Sequence, residues 1–193
     1  MWTDFKPHPL RWNLVPSNLD AQASPAERVK TDYEVRVLNI LLPAIILDGI
    51  PVGLVKRESP DFEVETVRGS LFVEVVDAVP VAVSLDDSMN LAKRRSREND
   101  EPYSIDSVEF AHAVTEQIEK KCLKASAWVS TEPSLRGALV LLVNAGQAPL
   151  SIVEYFRDPK AREMLVGSPG IAPFIAVVVG DETGAFVFGT VQR

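Results

Sequence analysis

Apolar residues recur at helical spacing after residue 24. This segment opens at Ser24–Glu27, where a serine cap, a proline at the first helical position and a glutamate three residues after the cap predict a helix start. The apolar positions that then repeat every three or four residues are Val29, Tyr33, Val37, Leu38, Leu41 and Leu42. We expect Pro43 to kink or end this helix and Asp48-Gly49 to close the segment.

A second helical pattern runs from Ser107 to about Val129. The apolar stripe that we expect it to bury consists of Phe110, Val114, Ile118, Cys122 and Ala125. A third helix is predicted near Leu150–Leu165. These helices alternate along the chain with segments of a different period.

Short apolar or alternating runs bounded by turn residues predict strands in the remaining segments. They are Ile50–Lys56, Asp61–Val67, Leu71–Val79, Ala138–Asn144, Phe174–Val179 and Ala185–Val191. The resulting order is helix, three strands, helix, strand, helix and a C-terminal pair of strands. Such an order favours an α/β fold with a mixed central sheet flanked by helices. We expect residues 1–23 to form an extended N-terminal arm and residues 24–193 to form a single domain.

Composition narrows the class of protein without deciding its function. A chain of 193 residues with 46% hydrophobic and 24% charged residues is typical of a globular protein. The single cysteine, Cys122, excludes an internal disulfide framework and fits a cytoplasmic location, and no apolar stretch predicts a membrane span. The net charge of −7 argues against a broadly basic nucleic-acid-binding face. A local basic cluster, formed by Lys93, Arg94, Arg95 and Arg97, lies in a long polar connection over residues 80–106.

The segment Pro60–Asp77 predicts a hairpin that carries acidic residues on one face. With Arg68-Gly69 as a two-residue turn, Asp61 faces Val76 and Glu63 faces Glu74, and a three-residue loop would break this parity. Like charges facing one another destabilise a sheet. Two explanations remain open: a divalent cation held by the carboxylates, or a solvated sheet face.

The same segment resembles the core of the PD-(D/E)xK nuclease superfamily, whose fold is restriction-endonuclease-like. Pro60-Asp61 stands where the family's Pro-Asp opens a strand, and Glu74 stands where its acidic residue lies on the next strand. The predicted αβββαβ order over residues 24–144 is also the order of the family's core. A C-terminal helix and β-hairpin would be added to that core.

The resemblance implies a Mg²⁺ or Mn²⁺ site formed by Asp61, Glu74 and a backbone carbonyl near Val75. It also implies a further acid from the first helix, for which Glu34 is the better match and Glu27 the second. The family's lysine, two residues after the glutamate, is replaced here by Val76. Some branches of the superfamily carry that lysine on the next helix.

The second helix offers a polar face on which such a lysine can lie. Gln117, Lys121, Lys124 and Trp128 fall on one face beside the apolar stripe. By the resemblance Lys121 replaces the motif lysine and Gln117 contacts water or phosphate. Lys124 and the basic cluster would bind the substrate backbone. The alternative is that these lysines are simply solvated.

These features predict a magnesium-dependent nuclease, a hydrolase of phosphodiester bonds in DNA or RNA. The missing lysine at position 76 and the acidic charge leave a second possibility, a catalytically inactive module that binds a protein or nucleic-acid partner. A third is an unrelated α/β domain with a solvated hairpin. The apolar C-terminal hairpin also allows pairing with a second copy of the chain, as a homodimer.

Overall fold

A computed structural model describes residues 2–6, 12–18, 23–45, 51–78, 106–146, 148, 150–166 and 170–189. Its strands are β1 (Trp2–Lys6), β2 (Gly53–Lys56), β3 (Phe62–Thr66), β4 (Gly69–Asp77), β5 (Leu139–Asn144), β6 (Ala176–Asp181) and β7 (Gly184–Gly189). Its helices are α1 (Pro25–Leu41), α2 (Ser107–Thr131), α3 (Ile152–Tyr155) and α4 (Pro159–Val166). Single 3₁₀ turns follow α1 at Leu42–Ala44 and α2 at Pro133–Leu135.

The strands form one mixed sheet in the order β1-β7-β6-β5-β4-β3-β2. The central strands β4, β5 and β6 are parallel, and the outer pairs are antiparallel. The prediction of an α/β fold with a mixed sheet and flanking helices is therefore confirmed. Every residue of β5 is buried, as expected for a strand that is covered on both faces.

Helix α1 begins where the capping pattern predicts. The Ser24 hydroxyl accepts a hydrogen bond from the Glu27 backbone N–H, and the Glu27 carboxylate accepts one from the Ser24 N–H. Leu38 and Leu41 are fully buried against the sheet. Val29, which the periodicity placed in the apolar stripe, is 69% exposed, because the first turns of the helix are exposed to solvent rather than packed on the sheet.

Two apolar clusters lie on opposite faces of the sheet. Helix α1 covers the face that contains Val73, Val75 and Leu142. Helices α2, α3 and α4 cover the face that contains Phe72 and Leu141. Of the predicted α2 stripe, four members are buried, whereas Cys122 is only half-buried at the border of the cluster.

The β3–β4 hairpin differs in register from the sequence prediction. Its turn residues are Val67-Arg68, not Arg68-Gly69, because the Thr66 side chain stabilises this turn: its hydroxyl accepts from the Arg68 N–H at 3.1 Å and donates to the Gly69 carbonyl at 2.7 Å. Phe62 pairs with Val73, and Glu63 pairs with Phe72.

The shift in register changes the predicted cross-strand partners, but it leaves Asp61 and Glu74 on the same face of the hairpin. Glu63 does not face Glu74, and Asp61 does not face Val76. Continuing the observed register by one residue places Asp61 opposite Glu74. The two acids that matter most therefore lie closer together than the sequence predicted.

The helix predicted near Leu150–Leu165 is divided into α3 and α4. Pro159 begins the second of them, and Asp158 accepts a hydrogen bond from the Lys160 N–H at 2.9 Å, as an N-cap does. Trp2–Lys6 pairs with β7 at one sheet edge, within the predicted arm. The basic cluster of Lys93, Arg94, Arg95 and Arg97 and the Asp48-Gly49 segment end lie outside the described residues.

Candidate active site

Asp61 and Glu74 are held together by hydrogen bonds from two backbone N–H groups of the hairpin. Asp61 precedes β3, and its N–H donates to Glu74 Oε2 at 3.3 Å. The Val75 N–H donates to Asp61 Oδ2 at 2.9 Å. The Glu74 side chain is 7% exposed and that of Asp61 is 13% exposed. The hairpin thus holds two carboxylates together at a largely buried position.

Lys121 reaches this pair from α2. Its ammonium group donates to Glu74 Oε1, and its side chain is 17% exposed. Helix α2 packs on the sheet face to which Glu74 belongs, so the i, i+3, i+4 spacing around the buried Ile118 directs Lys121 toward β4. Val76, in the position where the resemblance expects a lysine, packs against the apolar cluster under α2. The ammonium group that contacts Glu74 is therefore supplied by α2 and not by β4.

Glu34 approaches from the opposite face of the sheet. It lies on α1 with its side chain 7% exposed, and Lys56 Nζ donates to its Oε2 at 2.8 Å. Lys30, one turn earlier, lies 3.5 Å from the other carboxylate oxygen. The acid predicted from the first helix is thus brought toward the hairpin through a lysine.

Lys56 is the site residue that sequence reasoning missed. It ends β2, and its Nζ lies 3.6 Å from Asp61 Oδ1 as well as 2.8 Å from Glu34. Asn18 fixes the backbone of Lys56 with two hydrogen bonds, of 2.7 and 2.9 Å, on the side away from β3. The available signal was its position, since Lys56 ends the strand immediately before the loop that leads to Asp61.

The five side chains form a row of charged groups in which the acids Asp61 and Glu74 are neighbours. Its order is Glu34, Lys56, Asp61, Glu74 and Lys121. Burial raises the pKa of Glu74 above its usual range, and the negative charge of Asp61 raises it further, while contact with Lys121 opposes both effects. A site that raises the pKa of a carboxyl in this way favours a proton or another cation beside it.

Other predicted site residues lie apart from this row. Gln117, one turn before Lys121, is half-buried, and its side chain makes no hydrogen bond to another described residue. Lys124 is exposed. Glu27 caps α1, where its bonds to Ser24 lower its pKa.

The donor set suits a hard cation with few protein ligands. Mg²⁺ in proteins is commonly held by one or two carboxylates, with water and substrate phosphate completing its shell. Asp61 and Glu74 provide two buried carboxylates whose mutual repulsion a cation would relieve. Within the described part of the chain, no three His, Cys, Asp or Glu side chains are grouped as a ready metal cage.

No helix in the described ranges has the length and apolar character needed to cross a membrane. Comparisons with protein families, with curated proteins and with solved structures gave no match.

Proposed function

We propose that the protein is a metal-dependent phosphodiesterase that cleaves DNA or RNA, built on a restriction-endonuclease-like core. The observation that carries this proposal is the contact between Lys121 and Glu74 beside Asp61. Two acids and a lysine converge at the end of a hairpin although the motif position holds Val76. A solvated sheet face does not bury two carboxylates and a lysine together.

Asp61, Glu74 and a backbone carbonyl near Val75 would hold Mg²⁺ or Mn²⁺. The ion, when bound, would lower the pKa of an attacking water and neutralise phosphoryl oxygens. Lys121 would place a positive charge next to the developing charge on the phosphate. Lys56 would hold Asp61 and Glu34 in fixed positions from the other side. The exposed Lys124 and the basic cluster would contact the substrate backbone away from the cut bond.

The test compares two acids from the same hairpin. Asp61→Asn should remove Mg²⁺-dependent cleavage of single-stranded and duplex DNA and RNA, because it removes a metal ligand at nearly constant volume. Glu65→Gln, an exposed acid on β3, should leave cleavage unchanged. Wild-type protein that cuts none of these substrates with Mg²⁺ or Mn²⁺ would end the enzyme proposal and leave a binding module.

A second comparison uses two lysines one turn apart on α2. Lys121→Met should lower cleavage by roughly a hundredfold or more, as expected for loss of a group that stabilises transition-state charge. Lys124→Met should change the cleavage rate at saturating substrate little and should only raise KM, since the exposed Lys124 would contact the substrate backbone away from the cut bond. Equal losses of cleavage in both variants would show that Lys121 contributes only its positive charge and not its position beside Glu74.

A further inference from the structure

The Lys56 ammonium group lies between two carboxylates that come from different elements. Its Nζ donates to Glu34 Oε2 at 2.8 Å and lies 3.6 Å from Asp61 Oδ1. It also lies over the Phe62 ring, 4.4 Å from the centroid. Glu34 and Asp61 are largely buried, and Phe62 is fully buried. This arrangement is an enclosed cation site that a side chain of the protein already fills.

Asp61 divides its two carboxylate oxygens between two neighbouring acids. Its Oδ2 accepts from the Val75 N–H at 2.9 Å, on the side of Glu74. Its Oδ1 faces Lys56, on the side of Glu34. Nucleases that use two metal ions hold them about 3.5–4 Å apart, close enough for one carboxylate to contact both. Asp61 therefore has the position of a ligand that two cations can share.

The way in which Lys56 is held closes the position on the Glu34 side to a metal ion. Asn18 bonds the backbone N–H and carbonyl of Lys56 at 2.7 and 2.9 Å, and Lys56 pairs with Phe62 between β2 and β3, so this strand end is fixed. Like charges repel strongly at contact distance where little water screens them. A divalent cation at Asp61 Oδ1 would be repelled by the ammonium group that already faces this oxygen.

We propose that the Lys56 ammonium group takes the place of a second metal ion, so that the site holds a single divalent cation, at Asp61 and Glu74. Glu34 then binds Lys56 and is not a metal ligand, although the resemblance implied an acid from the first helix. Lys56 is thus a positioning residue for Asp61, and its positive charge is present whether or not metal is bound. This inference rests on the proposed metal-dependent function.

The number of Mn²⁺ ions bound per chain tests the role of Lys56. It is measured without substrate, by calorimetry and by the EPR signal of free Mn²⁺. Wild-type protein should bind one ion. Lys56→Met should bind two, because it frees Glu34 and Asp61 Oδ1, and one or two carboxylates with water suffice for such an ion. Lys56→Met combined with Glu34→Gln should bind one ion again.

Two further variants serve as controls on the Glu34 side. Lys30 lies 3.5 Å from the other Glu34 oxygen, but its side chain is 71% exposed, so Lys30→Met should still bind one ion. A second ion in this variant would show that the loss of any lysine near Glu34 is enough, and would overturn the role of Lys56. Glu34→Gln alone should bind one ion about as tightly as wild type. Loss of the ion from it would identify Glu34 as a ligand and overturn the inference.

Thermal unfolding in EDTA first establishes that each variant is folded. If Lys56→Met does not fold, the ion counts of wild type and Glu34→Gln decide the outcome. Two ions in wild type, or a single ion in folded Lys56→Met, would overturn the role of Lys56 and leave the proposed metal-dependent function standing. Wild-type protein that binds no Mn²⁺ would overturn that function and the role of Lys56 with it.

Discussion

Lys56 holds two acids that come from different parts of the chain. Its ammonium group lies 2.8 Å from Glu34 and 3.6 Å from Asp61, and its side chain is 24% exposed. A buried charge that loses its partner keeps the cost of its desolvation. Lys56 therefore offsets the cost of burying the Glu34 carboxylate between α1 and the sheet.

Lys56→Met should lower the free energy of unfolding by about 1–3 kcal/mol, because Glu34 then stays buried with only Lys30 beside it. Adding Glu34→Gln should recover a large part of that loss, since the unpaired charge is removed. Urea unfolding of the two single variants and the double variant measures the coupling. If the two losses of unfolding free energy simply add in the double variant, Lys56 and Glu34 are not coupled and the prediction is wrong.

Glu74 should make stability depend on pH in protein kept free of metal. Because its folded pKa is raised by burial and by Asp61, its contribution is fully present below the ordinary value of 4.5 and is lost as pH rises through the raised pKa. Glu74→Gln lacks this ionisation. The unfolding free energy of wild type minus that of the variant should therefore fall as pH rises from 4.5 and then level off.

Urea unfolding in EDTA at a series of pH values checks this expectation, with Glu65→Gln as the control because Glu65 is exposed on the same hairpin. A difference between wild type and Glu74→Gln that rises with pH would show that Lys121 dominates the environment of Glu74. Such a rise would also mean that the folded pKa is lowered.

The sequence allowed most of these residues to be named, but not their partners. Asp61, Glu74, Glu34 and Lys121 were predicted through the resemblance, and the structure brings them into one row with Lys56. Lys56 was missed because nothing in a single strand end indicates which helix lies beneath it. The Asp61–Glu74 pairing depended on which two residues form the turn, and the Thr66 hydroxyl bonds that settle this have no sequence signature strong enough to fix the register.

At the scale of elements, Arg57 connects the C-terminal end of α2 to the β3–β4 hairpin. Its guanidinium bonds both carboxylate oxygens of Glu132 at 3.0 and 2.9 Å and Glu63 at 3.1 Å. It also lies over the Phe72 ring, 5.0 Å from the centroid. Glu132 directly follows α2, so this contact sets how the helix that carries Lys121 lies on β4.

Arg57→Lys should lower stability by about 1–2 kcal/mol, because an ammonium group lacks the planar fork with which the guanidinium bonds both oxygens of Glu132 while it lies over the Phe72 ring. Cleavage should fall as well, since Lys121 is positioned by the same helix. Lys120→Met, which removes an exposed ion pair with Glu116 on α2, should change neither. Thermal unfolding and cleavage rate are the two measurements.

Element boundaries followed from local chemistry wherever a cap was present in the sequence. Ser24 and Asp106 each form a capping box, and the helices begin within a residue of their predicted starts. The prediction of one continuous helix near Leu150–Leu165 was wrong, because a new helix begins at Pro159. The apolar periodicity continues across that break and so conceals it. Periodicity reports which face is apolar, but not whether the backbone hydrogen bonds continue.

At the scale of the whole molecule, a mixed sheet separates two apolar clusters. The alternation of helical and strand segments predicted this layering, since both faces of a buried sheet must be covered. The seven-strand order, with β1 beside β7, was not predictable, because nothing local states which edge an N-terminal strand joins. A cavity between α1 and the carboxyl ends of the strands was missed for the same reason.

The row of five charged side chains has a consequence for how the protein folds. Its links join residues 22 and 47 positions apart, and they draw on both helical layers. Contacts of long sequence separation form late, after local structure has appeared. A partly folded chain in which only one helical layer has packed on the sheet therefore lacks part of the candidate active site.

On dilution from urea, cleavage activity should return no earlier than the fluorescence change that reports burial of Trp128, the tryptophan packed in the α2 layer. A fragment or intermediate that cuts substrate with α1 still undocked would contradict this order. Under the proposed nuclease function, the return of cleavage activity is then a readout of complete folding.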